Sequence, residues 1–143
     1  MSPNVNLKTI VATPIKFFAQ DPHDPRFYIF ATLMSGVLRF VVVARLPSGD
    51  RSSVSGKEMF VAMMAHFGGR IRIIEGDWNA TMGLSTNLDQ LNRATATGLS
   101  PEVAASLTWT GLRASEHGYN KVRIADLSGP DGNFASARVQ FSR

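Results

Sequence analysis

Ser106, Thr110, Arg113 and His117 fall at i, i+4, i+7 and i+11, the spacing that aligns side chains along one face of an α-helix. An imidazole, a guanidinium and a hydroxyl in register suffice for phosphodiester chemistry without a metal. His117 would move the proton as general base or acid, Arg113 would hold the charge of the phosphorane, and Thr110 would orient the phosphate. Ser106, together with Lys121 and Arg123 of the alternating run that follows Gly118, would bind the substrate. In a last helical turn His117 is expected to gain from the dipole, which favours its charged form. The same four residues also read as the ordinary solvated strip of a surface helix, with His117 satisfying terminal carbonyls.

Other chemistry has less to work with. The chain has no Cys, which removes disulfides, thiolate nucleophiles and thiolate zinc sites, and its three His are scattered. Glu75, Asp77 and Asn79 have a spacing that suits oxygen ligands of a divalent cation. Neither the Gly nor the distal Glu of a calcium loop accompanies them, so EGDWNATMGLS (75–85) reads as a plain acidic loop. His66 reads as a boundary residue of a helix and His23 as a loop residue. SGPDGN (128–133) joins two strands rather than a strand and a helix, so it is a turn and not a phosphate cradle. Neither a metal nor a cofactor is expected.

The elements that must position these groups can be read in order. Residues 1–26 resist placement: NLKTIVATPIKFF mixes β-formers with a Pro, and DPHDP (21–25) is a turn cluster. FYIFATLM (27–34) and VLRFVVVARL (37–46) predict a hairpin through Ser35-Gly36. The second strand is so apolar that both its faces should be covered. Arg51 to Val54 suggests a short returning strand. SGKE (55–58) is a capping box that opens a helix with Phe60, Met63, Met64 and Phe67 inward, ended by Gly68-Gly69. RIRII (70–74) predicts a strand.

Thr86 opens a short helix with Leu88 and Leu91 inward, stopped by Gly98. Ser100-Pro101 starts another, expected to run to about His117. On that helix Val103, Leu107 and Ala114 form one apolar stripe, and Ala105, Trp109 and Leu112 a second. The helix should therefore be sandwiched, with Trp109 in the core. Lys121 to Leu127 and ARVQF (137–141) form a terminal β-hairpin. The whole is α+β, a mostly antiparallel sheet with three helices packed on one side, in a single domain spanning 1–143.

Composition narrows the function classes. Hydrophobic residues make up 44% and charged residues 18%, the balance of a folded chain rather than a disordered one. No apolar run is long enough for a membrane helix, and the N-terminus lacks the features of a cleavable signal. The location expected is cytoplasmic, or inside a target cell reached without such a signal. The net charge is +4, with basic ends around an acidic middle. That balance favours a polyanionic partner, nucleic acid above all.

From EGDW through NLDQLNRATATGLSPEVAASLTWTGLRASEHGY and KVRI to the terminal alternating strand, about residues 75–141, the pattern resembles the C-terminal toxin tips of bacterial polymorphic toxins, of Rhs type and filamentous-haemagglutinin type. The resemblance implies an effector that poisons a neighbouring cell, commonly as a nuclease, and a cognate immunity protein as partner. It carries no catalytic residue with it. Together with the charge it favours a small basic effector that cleaves RNA without a metal. A non-enzymatic binding or adaptor module, with a purely structural TWTG helix, is the alternative. An enzyme acting on a nucleotide such as NAD is a third.

Overall fold

The computed structural model describes residues 6–80 and 86–143. The chain is α+β and divides into two compact units, Met1–Ile71 (unit 1) and Arg72–Arg143 (unit 2).

Unit 1 is an antiparallel meander of β1 (Lys8–Ala12), β2 (Lys16–Gln20), β3 (Tyr28–Met34) and β4 (Val37–Val43). The turn between β3 and β4 holds Ser35 at φ 53° and Gly36 at φ 77°. Positive φ at both central residues gives a two-residue turn the hand of twist that antiparallel strands need. One sheet face carries Phe17, Ala19, Ile29, Ala31, Leu33 and Leu38, all buried. Helix α1 (Gly56–Phe67) lies on it, with Met59, Phe60, Met63 and Phe67 buried and the Phe60 ring edge-on to Phe40 at 5.4 Å. The capping box forms as expected: Glu58 N–H donates to Ser55 Oγ at 3.1 Å, and Ser55 N–H to Glu58 Oε1 at 3.3 Å.

Of the opening residues that resisted placement, 8–20 form the β1–β2 hairpin, and the end of α1 fastens its turn. His66 Nε2–H donates to the Thr13 carbonyl at 2.7 Å, while its ring stacks on Phe17 at 5.0 Å. Arg70, in the 3-10 turn Gly68–Arg70, donates to Pro14 O at 2.6 Å and to His66 O and Phe67 O of the helix end. Two expectations fail here. The second face of β4 is open, with Arg39 exposed and Val41 37% exposed, because apolar composition does not ensure that a second layer exists. Residues 51–54 form no strand beyond one bridge, Arg45 to Arg51, because the backbone after it turns in towards Asp21.

Asp21 lies in DPHDP and is 3% exposed. Its Oδ2 accepts from Ser52 Oγ (2.7 Å), Ser53 N–H (2.6 Å), Ser53 Oγ (2.6 Å) and Val54 N–H (3.3 Å). Its Oδ1 accepts from His23 N–H at 2.8 Å. Burial alone would raise the carboxyl pKa, but the Ser53 and Ser52 hydroxyls and the backbone donors of His23 and Ser53 outweigh it. They hold it well below the usual carboxylate range.

In unit 2, β7 (Ser136–Ser142) pairs antiparallel with β5 (Ile73–Asn79) on one side and β6 (Lys121–Ser128) on the other. The C-terminal hairpin is as expected. β5 starts later than RIRII suggested and runs through EGDWN, which read as loop. Pairing along its length, from Ile73 opposite Ser142 to Asn79 opposite Ser136, overrides the weak strand preference of Gly, Asp and Asn. Residues 81–85 of the expected loop lie outside the described residues. The buried face presents Ile74, Trp78, Ala137, Val139 and Phe141. Helix α2 (Thr86–Ala96) buries Leu88 and Leu91 and ends as expected, with Gly98 N–H on Thr95 O at 3.0 Å. Its Asn92 exchanges hydrogen bonds with the Phe134 backbone, and its Thr95 hydroxyl accepts from Gly132 N–H at 2.8 Å, which clasps the SGPDGN turn.

Candidate functional site

The helix expected from Pro101 to His117 is two helices, α3 (Pro101–Ser106) and α4 (Trp109–Glu116). Thr108 is extended at the junction and fully buried. Its hydroxyl accepts from Gly111 N–H at 3.0 Å and donates to Ala105 O at 2.7 Å. The next two donors of α4 are taken by α2: Trp109 N–H by Gln90 Oε1 at 2.6 Å and Thr110 N–H by Asn87 Oδ1 at 2.9 Å. Every N–H that a helix start leaves open is thus satisfied in its first turn up to Gly111, and no anion site remains there. Gly111 is required by contact. A Cβ there would fall on the Ala105 carbonyl oxygen and 2.8 Å from the carbonyl carbon of Ser106. The TWTG segment is the joint between two helices.

A break at Leu107–Thr108 undoes the face assignments. Val103 (48% exposed), Leu107 (50%) and Leu112 (44%) are outside rather than sandwiched, and Trp109 is only half-buried rather than core. Ser106 lies on α3, separated from the rest of its strip, and its hydroxyl donates to Val103 O at 2.6 Å. Thr110, Arg113 and His117 stay on successive turns of α4 and its cap, but Thr110 is 1% exposed and offers no hydroxyl to a ligand at the surface. Arg113 packs over Trp109, 5.6 Å from the ring centroid, and its Nε lies 2.9 Å from Glu116 Oε1. That approach is an ion pair whose angle falls short of a hydrogen bond. For His117, desolvation lowers the imidazole pKa and Glu116 only partly restores it, so its surroundings favour the neutral form rather than the charged one expected.

Lys121 and Arg123 do stand together, exposed on the outer face of β6. Arg123 donates to Gln140 Oε1 at 2.8 Å, and Gln140 Nε2 donates to Glu75 Oε1 at 2.8 Å, a hydrogen-bonded row across all three strands of the unit. In the neighbouring row Arg138 stands directly opposite Asp77 on one side and Asp126 on the other. A bulge between Ile124 and Asp126 turns Asp126 to this outer face, so simple alternation along β6 misassigns it. The face therefore carries Lys121, Arg123 and Arg138 interleaved with exposed Asp77 and Asp126, and with Glu75 buried beside Gln140. Its positive charge is largely offset, which weakens its pull on a polyanion. Among the described residues no group of three or more His, Asp or Glu is placed to hold a metal ion.

A different face has the character that was sought. On the side of unit 1 away from α1, the register aligns Val11, Phe18, Phe30 and Val41 across four strands. Phe18 meets Phe30 edge-on at 6.0 Å and Tyr28 edge-on at 5.9 Å. Phe30 is 39% exposed, and no described helix of unit 1 lies over it. Lys8, Lys16 and Arg39 share this face, and no Asp or Glu does. The signal was present as parity, since Lys16, Phe18 and Gln20 alternate with Phe17 and Ala19. It could not be read while residues 1–26 had no strand assigned. Charge follows the same division. Met1–Ile71 holds eight Lys/Arg against four Asp/Glu, whereas Arg72–Arg143 holds seven against seven, so the whole excess of +4 belongs to unit 1.

No known protein family, curated protein or solved structure matches this chain. Among the described residues no helix is long and apolar enough to cross a membrane.

Proposed function

We propose that this chain is a nucleic-acid-binding protein that engages its partner through unit 1. The observation that carries the reading is the open sheet face of that unit, which holds Lys8, Lys16 and Arg39 with no carboxylate among them. Cations spread over an acid-free surface attract a phosphate backbone and release its condensed counterions on contact. Fluorescence anisotropy with RNA and DNA oligonucleotides over a salt series tests it. Binding should weaken steeply with salt, and Lys8→Ala and Lys16→Ala should each reduce the slope by about one. Absence of binding at low salt, or a slope that neither variant changes, defeats it.

A second reading, metal-independent RNA cleavage at the end of α4, has one observation in its favour. Burial lowers the His117 pKa and so favours the neutral imidazole, the form a general base must have. Incubating RNA with the wild type and with His117→Ala decides it: RNA left intact by the wild type removes the reading. The likeness of residues 75–141 to toxin tips supports growth arrest as the biological outcome, with an immunity protein as antagonist. Expression in a bacterial host, wild type against His117→Ala, is the corresponding test.

A further inference from the structure

The chemistry of the unit 1 face goes beyond charge. We infer that it is a stacking platform for unpaired bases, with Phe30, Phe18 and Tyr28 taking base faces and Lys16 and Lys8 taking the flanking phosphates. The inference rests on the nucleic-acid reading above and specifies its ligand as single-stranded.

Three features of the face support that ligand. Phe30 and Tyr28 are two residues apart on β3, which puts their side chains on one side of the sheet about 7 Å apart, room for one base each. Phe18 meets both of them edge-on rather than face to face, so these pairs are not closed as parallel stacks. Lys16 stands two residues from Phe18 on β2, and Lys8 stands opposite Gln20, so cations flank the aromatic row at both ends. An apolar face meant for a protein core would gain nothing from an acid-free cationic border, whereas a phosphate backbone does. A duplex hides its base faces in its own stack, and only the lysines would then matter.

The same combination of aromatic and cationic groups can meet an anionic lipid surface, but insertion there needs side chains that project. Phe18 and Tyr28 are half-buried within the sheet. The more exposed Ile15 and Met34 lie beside the turns at one end.

The experiment uses the full chain and four probes. These are a labelled oligouridylate of about eight nucleotides, an abasic ribose-phosphate chain of the same length, an RNA duplex, and vesicles of phosphatidylcholine with phosphatidylserine. The oligouridylate should bind most tightly. Phe30→Ala, at an exposed position, should weaken it about tenfold or more while Phe30→Tyr restores it, as stacking on an aromatic ring predicts. Lys16→Ala should lower the salt slope with the base preference kept. If the abasic chain or the duplex binds as well and Phe30→Ala changes nothing, stacking is overturned while polyanion binding stands. If no nucleic acid binds, the functional reading falls with it. Vesicle binding that depends on Phe30, without oligouridylate binding, assigns the face to lipid and overturns the inference.

Discussion

Unit 1 covers its four-stranded sheet with one helix and leaves the other face aromatic and cationic. Unit 2 sets three helices, α2 to α4, beside three strands and interleaves the cations of its outer face with carboxylates. The contrast extends to how buried polar groups are used. In unit 1 one carboxylate, Asp21, gathers five hydrogen bonds. In unit 2 the polar side chains Asn87, Gln90, Asn92, Thr95 and Thr108 are each committed to backbone groups of neighbouring segments. A segment rich in Thr, Trp, Arg and His can thus be fully occupied in holding itself together. Candidate function falls instead on a surface whose residues have little structural work to do.

That division makes substitutions at four residues informative. The largest effect is expected from Asp21→Ala, which removes the shared acceptor of Ser52, Ser53, Val54 and His23 and should cost about 4 kcal/mol, monitored by hydrogen exchange of β2 and β3 amides. Its acid dependence follows from the depressed pKa. The native carboxyl titrates below the unfolded value of about 4, so its contribution is complete above that pH and is lost as pH falls beneath it. Protection of β2 and β3 should decline below about pH 4, and Asp21→Asn should flatten that decline.

Next comes Gly111→Ala, expected to destabilise unit 2 by about 3 kcal/mol through the clash with Ala105 and Ser106. Both Trp residues, Trp78 and Trp109, lie in unit 2, so tryptophan fluorescence in denaturant reports that unit. A variant as stable as the wild type would return TWTG to the list of ligand-binding candidates. Thr108→Ala should cost about 1–2 kcal/mol by the same measurement, as loss of a cap with a buried hydroxyl does. Arg123→Ala should change stability by no more than about 0.5 kcal/mol and leave oligonucleotide affinity nearly intact. A loss of affinity equal to that of Lys16→Ala would erase the distinction between the two faces.

What could be read from the sequence was local. The capping box at Ser55 and Glu58, the Ser35-Gly36 turn, the proline at the start of α3 and the SGPDGN hairpin each depend on residues within a few positions of one another. What could not be read depended on distant partners. The break at Thr108 needs acceptors on Asn87 and Gln90, some twenty residues back, and without them T-W-T-G passes for helix interior. EGDWN becomes strand only because β7 pairs with it, and the outward turn of Asp126 depends on a bulge that composition does not announce. Lys121 and Arg123, expected to bind substrate beside the helical strip, stand exposed on the outer face of β6. The carboxylates that share that face come from β5 and from beyond the bulge, so its charge pattern was invisible until the register was known.

The Asp21 cluster also bears on the order in which unit 1 folds. Four of its five hydrogen bonds come from Ser52, Ser53 and Val54, 31 to 33 residues along the chain, and the intervening segment contains the β3–β4 hairpin. Hairpins close in about 1–10 μs, and once this one has zipped, the loop that remains to be closed around Asp21 is far shorter than the sequence separation. Closure around Asp21 is therefore expected to follow the hairpin, on the native side of the folding barrier. Removing the carboxylate should leave the refolding rate almost unchanged and accelerate unfolding, so the lifetime of the folded unit is set by a group that plays little part in forming it.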